Sequence, residues 1–301
     1  MTIANGNDEL RIGLIGLGNA GSALLQALSG NRRLHVYDRD SKRYEHVAEG
    51  TIPSPSAADL ARAADLILLS LPTPAASLAV AEEMHAALRP GATVVETSTV
   101  RPEHVEQLSA LLPGAHVVDA AVIGGVHRLA HGRGVFLVGP PEDETGPAGA
   151  VLRSIAEEIF FLKKRGDGMR AKLVANAVSH SAYVLLLEAA ALAAAQDIPL
   201  PVFYRLMERE SGLMRPLTHR FGERLRRHDF AGGMSTANAR KDSTLILETA
   251  EALGVPLFAI PATHEVYEIA MREGLENLDY ASMGQLWEKW LGISFADESA
   301  Q

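Results

Sequence analysis

The sequence predicts an α/β fold: a doubly wound sheet in the first half, followed by an all-α domain built around one long helix. Three observations carry this. Short β-branched and leucine-rich runs alternate with amphipathic segments from residue 11 to about 140. A glycine-punctuated turn joins the first run to the first helical segment. After about residue 168 no strand-like run recurs, and the most apolar stretch of the chain begins.

Taken in order, RIGLIGL (11–17) reads as a buried strand and AGSALLQALSG (20–30) as a helix ended by Gly30. LHVYD (34–38) and DLILLSLP (65–72) are strands, AASLAVAEEMHAAL (75–88) a helix and GATVVETS (91–98) a strand. PEHVEQLSALL (102–112) is a helix, and HVVDAAV (116–122) and GVFLVG (134–139) are strands. Continuous apolar strands separated by helices are what a parallel sheet covered on both faces requires. The stretch 169–197 then reads as one helix stopped at Ile198-Pro199, because proline cannot continue a helix. Helices follow at 201–210, 216–227, 239–254, 261–274 and 281–292. The expected domains are residues 1–165, a doubly wound α/β unit, and 166–301, all-helical.

Composition narrows the function classes. The 301 residues are 47% hydrophobic and 22% charged, as in ordinary globular proteins. A net charge of −9 argues against nucleic acid or an anionic membrane as the main partner, since both need clustered positive charge. The absence of cysteine excludes disulfides and cysteine-held metal, and suits the cytoplasm. MTIANGNDEL lacks the basic and apolar regions of a signal peptide. The apolar run at 183–198 is broken by Glu188 and is shorter than the ~20 residues a membrane span needs.

GLIGLGNAG places Gly16, Gly18 and Gly21 in a G-x-G-x-x-G spacing directly after a strand and opening a helix. The first glycine allows the tight turn, the second a close approach of backbone to pyrophosphate, and the third close packing of helix on strand. Asn19 and Ala20 begin the helix whose free N–H groups would meet the phosphates. Asp38 ends the second strand, where an acid meets ribose hydroxyls in a Rossmann domain, and favours NAD by repelling a 2′-phosphate. Arg39 beside it could grip that phosphate, which keeps NADP as the alternative. A glycine-rich turn that binds nothing is the other reading.

On the long helix, Lys172, Asn176, Ser179, His180 and Tyr183 fall on one side by spacings of three and four. The rest of the helix is Leu, Val and Ala, so it should be buried and its polar stripe should face partners, water or a ligand. Spacing alone also permits Lys172 to snorkel to solvent at the helix start. Glu188 falls opposite the stripe, as a structural partner within the helical domain.

In its ordered motifs the chain resembles the β-hydroxyacid dehydrogenase family from about Arg11 to Leu291. IGLIGLGNAG is similar to the family's cofactor loop, and LSLPTP to a loop whose Leu71 and Pro72 would touch the cofactor. ETSTV resembles the segment whose Thr99 would lie near the nicotinamide ribose. DAAVIGG resembles the substrate loop D-A-P-V-S-G-G, GDGMRAKLVANAV the catalytic G-x-G-x-x-x-K-x-x-x-N pattern, and LENLDYASM the final D-[FY]-S segment. RKDSTL resembles the late K-D motif, implying that Lys241 approaches the cofactor. The resemblance implies Lys172 as general acid/base, oriented by Asn176, and a substrate carboxylate held at Gly124 and Gly125.

Two departures stand out. Ile123 replaces the serine whose hydroxyl helps hold the carboxylate, and Arg128 replaces a residue that is commonly small. His127, Arg128 and His131 add donors near the expected pocket, or are solvated loop residues.

The expected function is therefore hydride transfer between NAD, or NADP, and a small 3-hydroxy acid or its semialdehyde, in a homodimer or homotetramer. An imine reductase-like enzyme and a non-catalytic dinucleotide-binding sensor are the alternatives.

Overall fold

The computed structural model describes residues 10–29, 33–47, 50–209 and 213–297. The expected helix end at Gly30 and the N-terminal segment read for targeting lie outside these residues, apart from Leu10. The chain divides into two compact units, residues 1–177 and 178–301.

The first unit is built on a sheet of order β3-β2-β1-β4-β5-β6-β7-β8. Its strands are β1 (Ile12–Ile15), β2 (Leu34–Tyr37), β3 (Thr51–Pro53), β4 (Leu66–Leu69), β5 (Thr93–Glu96), β6 (His116–Ile123), β7 (Gly134–Val138) and β8 (Ala156–Phe161). Helices α1 (Asn19–Leu28), α2 (Ala57–Ala63), α3 (Pro74–Met84), α4 (Pro102–Leu111), α5 (Val126–Ala130) and α6 (Pro147–Arg153) connect them.

Alternation along the strands divides the core in two. Leu66, Leu68, Val95 and Val118 face a cluster containing Leu24, Leu25, Leu28, Leu129 and Leu152. Ile67, Leu69, Val94 and Val117 face one containing Leu60, Met84, Val105, Leu108 and Met169. Two-sided burial is why these strands read as unbroken apolar runs.

Two features correct the sequence expectation. The sheet is not wholly parallel, because β7 runs antiparallel to β6, with Ile123 opposite Val135. The connection between them, residues 124–133 with α5 inside it, returns the chain at the same end of the sheet, as an antiparallel pair requires. Strands β3 and β8 were not expected. β3 has three residues ending in proline, and β8, AEEIFF, carries two glutamates; both lie at the sheet edges, where such residues are tolerated. The short helices α2, α5 and α6 are likewise too brief to show a period.

Helix α7 (Asp167–Ala195) begins in the first unit, where Met169 is fully buried. The division between units therefore falls inside this helix, past the 165/166 boundary read from sequence. The second unit continues with α8 (Leu200–Glu208), α9 (Thr236–Ala252), α10 (Ala259–Arg272) and α11 (Gly284–Leu291). No named strand occurs among its described residues. The helix expected at 216–227 is instead a π-type stretch, Pro216–Arg224, tightening to a 3₁₀ turn, Leu225–Arg227.

The expected burial of the long helix is not achieved by one chain. Val174 and Val178 are each 68% exposed, and among the described residues the second unit's buried cluster is Leu225, Phe230 and Ala281, with Leu278 and Phe295 against it. The reading of an apolar run too short for a membrane also changes. The helix is 29 residues long with a window of mean hydropathy 1.5, enough by length and composition to cross a bilayer. The run continues past its polar interruptions because alanine and leucine hold helical geometry through them.

Glu188 is a structural partner, as its position suggested. It is buried, and its carboxylate accepts from the backbone N–H groups of Phe258 and Ala259, each at 2.8 Å, and Ile260 at 3.1 Å, capping α10. Burial pushes this carboxyl up, but the three donors outweigh it and hold it below its ordinary value. Glu188→Ala is expected to cost about 1–3 kcal/mol in urea unfolding near neutral pH. A carboxyl lowered on folding stabilises above its unfolded pKa, and the contribution fades as pH falls through the folded value. The difference between wild type and variant should therefore shrink in acid.

Candidate functional site

The carboxyl ends of β1, β2 and β4 open onto a cavity of about 670 Å³, within the range of small-molecule sites. Gly16, Gly18, Asn19, Ala20, Asp38, Arg39, Leu71 and Pro72 line it. Gly16 turns at φ +96°, and a Cβ there would fall on the Ser70 carbonyl oxygen. A Cβ on Gly21 would fall on the Gly16 carbonyl oxygen, so the helix lies directly against the turn. Gly18 is different: nothing lies within 4 Å of its absent Cβ.

Helix α1 has no side-chain cap and no acidic residue in its first turn. Its leading N–H groups are thus left for an anion, and the open space at Gly18 lets a phosphate reach them. Asp38 lines the cavity beside the glycine turn. One carboxylate oxygen accepts from Leu17 N at 2.7 Å and the other from Asp40 N at 2.8 Å. These residues fit a dinucleotide.

Arg43, Asp40, Tyr37 and Glu83 also line the cavity, and sequence reasoning did not select them. Arg43 lies in a 3₁₀ turn, Ser41–His46, that carries no motif. Its guanidinium lies 3.8 Å from the Asp40 carboxylate, which also lines the cavity.

Behind Leu71 runs a buried polar chain. Leu71 N donates to Ser98 Oγ at 2.8 Å, and Ser98 N donates to Glu96 Oε1 at 2.9 Å. Ser77 donates to the same fully buried carboxylate, and His104 Nε2 stands 3.6 Å from it. The loops after β4 and β5 are thereby fixed to one another.

The second group of expected residues gathers where β6 ends and α7 begins. Lys172 is half-buried, and its Nζ donates to the Val122 carbonyl at 2.6 Å. Burial pulls the ammonium below its ordinary value. Asn176 is half-buried one turn on, whereas Ser179, His180 and Tyr183 are exposed. Beyond Val122, Ile123 packs against the apolar cluster beneath the sheet. Gly124 and Gly125 follow with φ of +87° and +90°, exposed, with open space where side chains would be.

Arg128 is already engaged: its Nη2 pairs with Glu157 Oε2 at 2.6 Å, and the guanidinium holds Glu157 below the usual carboxylate range. The His127 and His131 rings lie 4.6 Å apart, tilted by 41°. Thr99 is exposed just beyond β5 and does not line the cavity. Lys241 lies on α9 in the second unit, exposed and 3.0 Å from Asp242.

Over most of its length the chain is similar to known proteins. Residues 11–163 match the family model for the NAD binding domain of 6-phosphogluconate dehydrogenase. Residues 166–287 match that for the NAD-binding of NADP-dependent 3-hydroxyisobutyrate dehydrogenase. The chain is 28% identical over 289 residues to the mitochondrial 3-hydroxyisobutyrate dehydrogenase of Drosophila melanogaster, covering 92% of this chain and 89% of that one. It is 25% identical over 279 residues to 3-sulfolactaldehyde reductase of Escherichia coli (strain K12), covering 90% and 94%. The solved imine reductase from Pseudomonas sp. shares the fold at a TM-score of 0.81, with 20% identity over 92% of this chain and 99% of that one. The chain belongs to the β-hydroxyacid dehydrogenase family of NAD(P)-dependent oxidoreductases.

Proposed function

We propose that this protein interconverts a small 3-hydroxy acid and its semialdehyde or keto form, with Lys172 as general acid/base. The observation that carries the reading is the half-buried Lys172 amine, held on the Val122 carbonyl beside the open Gly124–Gly125 turn.

A nicotinamide cofactor supplies the hydride transfer. The Gly16–Gly21 turn and the uncapped start of α1 would hold its pyrophosphate, Asp38 would meet a ribose, and Leu71 and Pro72 would pack against it. Asp38 favours NAD, while Arg39 and Arg43 on the same cavity are why NADP is tested beside it.

In oxidation the Lys172 amine takes the hydroxyl proton as the carbon gives up hydride. In reduction the ammonium returns a proton to the forming alkoxide and stabilises its charge meanwhile. A lysine at its ordinary pKa is a poor base near pH 7, and burial moves it toward the working range. Asn176 orients the amine. The Gly124 and Gly125 N–H groups receive the substrate's acidic end, and Ile123 gives that pocket an apolar wall in place of a hydroxyl.

The exposed apolar residues of the helical unit support assembly with further copies as a homodimer or homotetramer. Phe258 is 76% exposed and Trp290 50%. Sedimentation at micromolar concentration distinguishes this from a monomer.

A panel of 3-hydroxy acids, sulfonate analogues and cyclic imines, each with NAD(H) and NADP(H), tests the function by absorbance of reduced nicotinamide. Turnover of 3-hydroxy acids with higher kcat/KM for NAD is expected. Turnover of imines alone would move the assignment to the second reading, which the missing hydroxyl at Ile123 favours.

A further inference from the structure

Asp119 lies on β6, three residues before Val122, and is fully buried. Its carboxylate spans to the start of α7. There Oδ1 accepts from Gly166 N at 2.8 Å and Oδ2 from Met169 N at 3.1 Å. Glycine stands at both positions that close over it. A Cβ on Gly139 would fall on Oδ1, and a Cβ on Gly168 would lie 2.8 Å from Oδ2 and against the Leu137 carbonyl.

The same strand and helix meet a second time where Lys172 Nζ donates to Val122 O at 2.6 Å. Two attachments between one strand and one helix fix both rotation and register, because a helix advances a rigid ~1.5 Å per residue. With Gly166 and Met169 held, the Cα of Lys172 has one place to be.

We infer that Asp119 is a positioning residue for Lys172: its bidentate grip on the start of α7 sets where the lysine amine stands at the end of β6. The inference rests on the reading of Lys172 as acid/base. The other ionisable groups at this end of the unit are accounted for. Glu96 lies beside Asp119 in the β5–β6 register, with His104 against it. Asp167 pairs with Arg170 at 2.7 Å, and Arg165 with Glu106 at 2.8 Å.

Asp119→Asn keeps the shape but turns one acceptor into a donor that faces a backbone N–H. Lysine titration by NMR reads the consequence, since the sequence has only six lysines and Lys172→Arg identifies the signal. In the wild type, the Lys172 signal should titrate below the others. In D119N it is expected to move up toward solvent lysines as the helix start loosens. kcat should fall about 10²-fold, the scale of an ångström's misplacement. Cofactor Kd should stay within about twofold, because the glycine turn lies at β1.

An unchanged Lys172 titration and kcat with only a lower Tm would make Asp119 a structural cap and overturn the inference. A downward shift would also overturn it, since that is what loss of a nearby negative charge alone would do. If D119N does not fold, Gly139→Ala displaces the carboxylate while keeping its charge and should give the same upward shift. The reading of Lys172 is tested apart from this: full activity in Lys172→Ala would end it, while the NMR shift would still report on positioning.

Discussion

Lys172→Ala is expected to lower kcat about 10²–10⁴-fold, the usual contribution of a positioned acid/base, with cofactor Kd within about twofold. The wild-type kcat for oxidation should climb with pH and level off below the ordinary lysine value, because burial of Lys172 lowers its pKa and only the neutral amine accepts a proton. That limb should vanish in the variant.

Stability should rise with pH in the same sense. Folding lowers the pKa, so the unfolded chain binds more protons between the folded value and the ordinary 10.5. The cost of burying the ammonium is fully present below the folded value and is relieved as pH rises through that window. Lys172→Met, which keeps the packing, should therefore lose activity without a lower Tm at pH 7. Retained kcat in either variant, measured with a substrate found in the panel, would remove Lys172 from the chemistry.

Gly21→Ala should destabilise the first unit by about 3 kcal/mol, a fall in Tm of roughly 6–12 °C, and abolish cofactor binding. Alanine is the better helix former, by about 1 kcal/mol. That gain is overwhelmed because the new methyl meets the Gly16 carbonyl oxygen, a backbone atom that cannot rotate away. Gly18→Ala makes the informative contrast. Its φ of −69° suits alanine and no atom lies within 4 Å of the new methyl. Tm should hold within about a degree while cofactor Kd rises about tenfold, because the methyl occupies the approach to the α1 N–H groups. Equal losses of stability in both variants would contradict the separate roles of the two glycines.

The legible parts of the site were those that follow from one local constraint. Gly16 and Gly21 stand where side chains do not fit, and Asp38 closes the strand beside them. Residues that act through space carried no such mark. Arg43 reaches the cavity from a 3₁₀ turn that carries no motif, and Glu96 matters through Ser98 and through Ser77 and His104, which approach it from other segments. Arg128 shows the converse. Its charge drew attention in the sequence, but Glu157 on the unexpected edge strand β8 pairs with it.

The sequence by itself determined the alternation that builds a two-faced sheet, the glycine turn, and the length of the helix bearing Lys172. Each is set by neighbours within a few residues: apolar runs, φ preferences and a stopping proline. Tertiary structure decided the reversal of β7, the pairing of Arg128, the seating of Lys172 on Val122 and the grip of Asp119 on α7. These depend on residues far apart in the chain meeting in space, Lys172 with Val122 at a separation of 50 and Arg128 with Glu157 at 29, and on glycines that matter only for what lies over them. Periodicity carries no record of such contacts, because burial and hydrogen bonding are settled by the partner and not by the spacing.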